Sequence, residues 1–107
     1  MKTLESVEEF TNMIHAKTVI AVFSAGWCPD CRVIEPVLPE IEAAYPNYNF
    51  VEVDRDQFID LCQDYDVFGI PSFLAFRNGK EIGRFVSKDR KTKEQITTFI
   101  EGLPKED

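Results

Sequence analysis

Long apolar runs are missing from this chain of 107 residues. The longest, Val19 to Phe23 continuing into Ser24-Ala25-Gly26-Trp27, is far short of the ~20 residues a membrane-spanning helix needs. Positive charge is in deficit: 12 Lys and Arg against 19 Asp and Glu leave a net charge of −7. Such a surface repels nucleic-acid phosphates and anionic lipid headgroups, which excludes nucleic acid and membrane as main partners. The three cysteines are too few, and odd in number, for a disulfide scaffold. The opening Met1-Lys2-Thr3-Leu4-Glu5-Ser6 has no apolar stretch of the secretory kind. A reducing, cytoplasmic home is therefore the expectation, and paired cysteines there serve metal or chemistry. No repeat, low-complexity tract or Gly/Ser linker divides the chain, so residues 1–107 read as a single domain.

Hydrophobic residues at 44% and charged ones at 29% are a globular balance. The hydrophobic pattern predicts a helix from Val7 to about His15, opened by a Ser6/Glu9 capping box and carrying Val7, Phe10 and Ile14 on one face. Thr18 to Phe23 is a β-branched run without polar alternation, the mark of a strand buried on both faces. From Cys28, apolar residues Val33, Ile34, Val37, Leu38 and Ile41 recur at helical spacing as far as Tyr45-Pro46-Asn47, with a bend expected at Pro36. A strand at Asn49–Asp54 precedes a short helix from about Gln57 to Tyr65, with Asp56 as its cap. Ser72–Phe76 and Lys80–Val86 pair through an Asn78-Gly79 hairpin turn. The last helix starts at Thr92 with Gln95 completing a capping box, and Ile96, Phe99, Ile100 and Leu103 form its core face. Helical crossovers make the first strands parallel and the hairpin adds an antiparallel pair. A mixed α/β sheet with helices on both faces is the compact solution.

Trp27-Cys28-Pro29-Asp30-Cys31 falls where the buried strand meets a helix start. Two intervening residues put both thiols on one turn, close enough to exchange between dithiol and disulfide. Unpaired N–H groups at the helix start favour a thiolate, so Cys28, read as the nearer to solvent, is the attacking sulfur and Cys31 the resolving one. Zinc uses the same spacing but needs two further ligands, for which only Cys62 and His15, in separate helices, could serve. Pro29 and Asp30 also have a plainer role, since Pro suits the first helical position and Asp the positive helix end. The negative charge of Asp30 disfavours the Cys28 thiolate, which pushes the couple toward the reducing end.

Taken with Pro36 five residues on, Gly69-Ile70-Pro71-Ser72 and Asn78-Gly79, the Trp27-Cys28-x-x-Cys31 motif resembles the thioredoxin family over nearly the whole chain. The resemblance implies a thioredoxin fold, a cis peptide at Ile70–Pro71 and reduction of protein disulfides. No cofactor need be bound, since the cysteines carry the electrons, and an external reductase such as thioredoxin reductase is expected to recycle the oxidised pair. Trp-Cys-Pro-Asp-Cys looks like the motif of the smaller thioredoxin-related proteins. Two departures matter: Val22 stands where ordinary thioredoxin has a buried aspartate, and Phe50 where it has a lysine. Asp30 or water must then take the Cys31 proton. On the same resemblance Ile70 offers backbone groups to an extended substrate, with Phe68, Gly69 and Pro71 completing the lip.

Trp27 reads as a flat substrate-facing anchor or as packing. Cys62, at helical spacing from Phe58 and Tyr65, is a core thiol, and His15 a helix-end cap. Lys88, Arg90, Lys91 and Lys93, following Ser87, crowd cations before a helix N-terminus. Helix stability does not explain them, so the loop reads as a collector of acidic substrates or as a solvated charge run. The expected function is a small dithiol–disulfide oxidoreductase acting on protein disulfides. The rivals are a reductase of small-thiol mixed disulfides, with Arg32, Lys88 and Arg90 holding carboxylates, and a non-catalytic binding module.

Overall fold

In the computed structural model, residues 1–105 are described. The last two positions of the 1–107 reading lie outside them. Five strands, β1 (Lys2–Thr3), β2 (Val19–Ser24), β3 (Asn49–Asp54), β4 (Ser72–Arg77) and β5 (Lys80–Phe85), form one sheet in the order β1-β3-β2-β4-β5. β1, β3 and β2 run parallel, while β4 is antiparallel to both β2 and β5. The two-residue β1 carries no periodicity long enough to read from sequence. Its parallel pairing with β3 comes from the tertiary fold.

Among the described residues five α-helices cover both faces: α1 (Val7–Ala16), α2 (Pro29–Ile34), α3 (Leu38–Ala44), α4 (Ile59–Asp64) and α5 (Lys93–Glu101). The alternation of strand side chains splits the core in two. Ala21, Phe23, Val51 and Phe76 pack against Phe10 and Ile14 of α1 and Leu61 and Cys62 of α4. On the other face Ile20, Val22, Phe50 and Phe73 meet Ile34, Leu38 and Ile41, together with Ile96 and Ile100 of α5. β2 is buried from Val19 to Phe23, as its unbroken apolar run requires.

The expected bend at Pro36 is a short 3₁₀ turn, Glu35–Val37, between α2 and α3. Pro36 and Pro39 each sit in the first turn of the following piece, where their missing N–H costs nothing. Asn78 (φ 55°) and Gly79 (φ 79°) both take the left-handed conformation of a two-residue hairpin turn. The Gly79 N–H also donates to Ile14 O at 2.8 Å, tying the turn to the end of α1. Thr92 and Gln95 form the full capping box of α5.

Three local expectations need correction. Val7 is exposed rather than on the core face of α1. Glu9 accepts from the Glu5 N–H instead of Ser6, so only the Ser6 half of that box forms. Asp56 does not cap α4: Asp54 Oδ1 accepts from the Asp56 and Gln57 N–H groups, and Asp56 is drawn away to Trp27.

Candidate active site

β2 ends at Ser24, and the chain turns through Ala25-Gly26-Trp27 into α2. Cys28 is the N-cap residue of α2: its Sγ accepts from the Cys31 N–H at 3.2 Å. Its thiol also points at the Ile70 carbonyl, 3.9 Å away. Ile70 precedes the cis Ile70–Pro71 peptide. Both cysteines, like Cys62, are free thiols.

Exposure does not rank the two sulfurs, contrary to the expectation that Cys28 is nearer to solvent: Cys28 is 4% exposed and Cys31 6%. They differ in what they border. Cys28 opens on a cleft of about 330 Å³ lined by Trp27, Pro29, Asp30, Arg55, Phe68, Gly69, Ile70 and Lys88. Cys31 backs onto a separate pocket of about 350 Å³, whose walls include Val22, Ser24, Arg32, Glu35, Glu52 and Asp54. Burial, reinforced by its hydrogen bond with Cys28, pushes the Cys31 thiol up to about 12. Cys31 is thus a protonated thiol at neutral pH.

The cleft collects most of the residues singled out from the sequence. Trp27 (60% exposed) and Phe68 (63% exposed) flank its mouth as bare aromatic surfaces. The indole Nε1 donates to Asp56 Oδ2 at 2.7 Å, and the Arg55 guanidinium lies 5.8 Å from the ring centroid. Neither anchor was foreseen, because both come from the loop after β3, far away in sequence. Pro71 is buried behind the lip. Ser87 contributes backbone: a Cβ on Gly69 would lie 2.4 Å from Ser87 O and 2.8 Å from Lys88 N. The absence of a side chain at Gly69 lets these two loops close on each other.

Asp30 is not a free carboxylate. Its Oδ1 accepts from Arg90 Nε at 2.9 Å, which offsets the charge expected to disfavour the Cys28 thiolate. Where a buried aspartate and lysine were noted as missing, Val22 and Phe50 are packed in the apolar core.

The basic loop differs from its sequence reading. Lys93 pairs with Glu40, Arg90 with Asp30, and Lys91 is 1% exposed. Lys88 alone of the four lines the cleft. Arg32 donates to the Gly26 carbonyl. Cys62 lies in the core on the α1/α4 face, and burial raises its thiol above the ordinary range. His15 Nδ1 contacts Thr11 O, its ring filling the space a Cβ on Gly79 would need. Among the described residues no three His, Cys, Asp or Glu side chains converge as a metal set, and no helix is long and apolar enough to cross a membrane.

A thioredoxin family model matches residues 2–102. The chain is 40% identical over 84 residues to thioredoxin H5 of Oryza sativa, covering 78% of this chain and 58% of that protein. It is 38% identical over 74 residues to thioredoxin H4-1 of the same plant, covering 69% and 56%. The chain thus spans little more than half the length of these curated relatives. Among solved structures, Plasmodium falciparum thioredoxin superposes with a TM-score of 0.84 at 25% identity, covering 94% of this chain and 97% of that one. Oxidised mitochondrial thioredoxin 3 of Saccharomyces cerevisiae gives 0.80 at 25% identity, with 94% of each chain covered. The strand order, the cysteine pair at the head of α2, the cis Ile70–Pro71 lip and these likenesses converge: the chain belongs to the thioredoxin family.

Proposed function

We propose that this chain is a dithiol–disulfide oxidoreductase that reduces protein disulfides and is returned to the dithiol by an external reductase of the thioredoxin reductase kind. One observation carries the reading. The Cys28 sulfur accepts the Cys31 N–H at the head of α2 while facing a cleft rimmed by two exposed aromatics and the Ile70 carbonyl. Substrate lies across Trp27 and Phe68, with its extended backbone against Ile70.

The Cys28 thiolate attacks one sulfur of the substrate disulfide. A Cys28–substrate bond forms, the substrate S–S bond breaks, and the first substrate sulfur leaves as a thiolate. Cys31 then loses its proton and attacks Cys28 Sγ, releasing the second substrate thiolate and leaving a Cys28–Cys31 disulfide. Two electrons pass from protein to substrate. Of the two acceptors for the Cys31 proton, Asp30 and water, the geometry favours water. The Asp30 carboxylate is engaged by Arg90, whereas Cys31 borders an open pocket with Glu52 and Glu35 in its wall. A reducing compartment such as the cytoplasm suits this direction of electron flow.

The small-thiol reading is the weaker, because two of the three cations it needs, Arg32 and Arg90, are spent within the chain, which leaves it Lys88 at the cleft. The test is reduction of insulin disulfides together with trapping. Cys31→Ser should accumulate a covalent substrate adduct and Cys28→Ser none. Failure of the native chain to reduce any disulfide would overturn the reading.

A further inference from the structure

A lysine packed in a protein interior is costly unless its ammonium is hydrogen-bonded and its charge is used. Lys91 is 1% exposed, yet among the described residues no carboxylate is hydrogen-bonded to it. Its Nζ donates to Ser87 O at 3.2 Å, Ser87 Oγ at 3.1 Å and Asp89 O at 3.1 Å. It also sits 5.1 Å from the centroid of the Phe85 ring. Three neutral oxygens take the three donors of –NH₃⁺, so the pocket is shaped for the charged form. The loop that holds the cation adjoins the dithiol site at two points. Ser87, which it grips, closes on Gly69, next to the Ile70 whose carbonyl meets Cys28 Sγ. Arg90, one residue earlier, bonds Asp30 between the two cysteines.

We propose that Lys91 is a positioning residue of the dithiol site, its buried ammonium supplying the fixed positive charge that favours thiolate at Cys28 and Cys31. The loop beside the site thus holds a buried cation, while Val22, in the wall of the pocket behind Cys31, is apolar. The charged and titratable groups that act on Lys91 are Asp89 on its own loop and Cys31, Asp30 and Cys28 on the facing turn of α2. Burial lowers the Lys91 ammonium from its ordinary range, and these four groups oppose that lowering. The Asp30 carboxylate is paired with Arg90, whereas the Lys91 ammonium is held by neutral oxygens.

The inference rests on the dithiol reading above, and its test is separable from it. Lys91→Met removes the charge at nearly constant length, and Lys91→Arg keeps it. Thiolate absorbance at 240 nm, followed against pH, should show the first midpoint of the coupled pair raised in Lys91→Met by about 0.5–1 unit. That is a roughly three- to tenfold loss of thiolate at neutral pH. The couple should become more reducing by the same factor, about 15–30 mV, because the reduced form loses stabilisation. Lys91→Arg should restore both. If Lys91→Met slows turnover while the titration stays in place, or if the Arg variant titrates like Met, Lys91 is merely structural and the proposal falls. If the native chain shows no disulfide reduction at all, it is the underlying reading that fails.

Discussion

At the level of single residues, the site is governed by which charges are already occupied. Asp30 beside two cysteines reads from sequence as a base, but Arg90 holds its Oδ1. We therefore expect Asp30→Asn to change attack and resolution by similar factors in stopped-flow traces. Selective slowing of resolution would make Asp30 the proton acceptor. Trp27 is a second case. Its indole is oriented by Asp56, so Asp56→Ala should raise KM for a protein disulfide several-fold while leaving thiolate titration in place; unchanged KM would remove the anchoring role. The Trp-Cys-Pro-Asp-Cys run and the Gly69-to-Ser72 lip were legible because they are local in sequence. The partners of Asp30 and Trp27 were not, since each lies across the fold, and those of Lys91 lie within its own loop, whose course no periodic pattern marks. One signal for Lys91 did exist. It stands just before the Thr92 cap, where an apolar residue commonly staples to the fourth helical position, here the buried Ile96.

Among the elements, two devices set the frame around the cysteines. The Thr92 capping box starts α5, so Thr92→Ala should cost about 1 kcal/mol in urea denaturation, with catalysis changed less than stability. Gly69 brings two loops into backbone contact. A Cβ there meets Ser87 O at 2.4 Å, backbone that cannot swing aside as a flexible side chain does. Gly69→Ala should cost roughly 1–3 kcal/mol and impair substrate binding; an unaltered melting point and KM would show that the loops can part freely. Long periodic elements were readable for the same reason that they are stable: the buried run of β2 and the apolar face of α5 repeat one signal many times. Short pieces were not. β1 has two residues, and α4 starts after Phe58 with no side-chain cap, the Asp54 carboxylate holding the turn ahead of it.

For the molecule as a whole, alkaline pH is the revealing variable. Cys31 is raised from an ordinary 9.0 to about 12, and Cys62 is raised as well, both by burial. Above about pH 9 the unfolded chain has released these protons while the native chain keeps them, so the stabilisation is complete below that pH and is lost on the way up. Lys91 contributes with the opposite sign, because its native form gives up its proton earlier than the unfolded one. Reduced protein should therefore lose denaturation free energy between pH 9 and 11, and Cys31→Ser should flatten that decline; an equal slope in both would show that the thiol does not carry it. A different consequence follows from the margins of the sheet. β1 is only a stub, and the outer strand β5 carries Lys80, Glu81 and Arg84 and a register shift opposite Ala75 and Phe76. Such rims make poor templates for a visiting chain, so crowded solutions of the folded protein should stay clear of fibril growth.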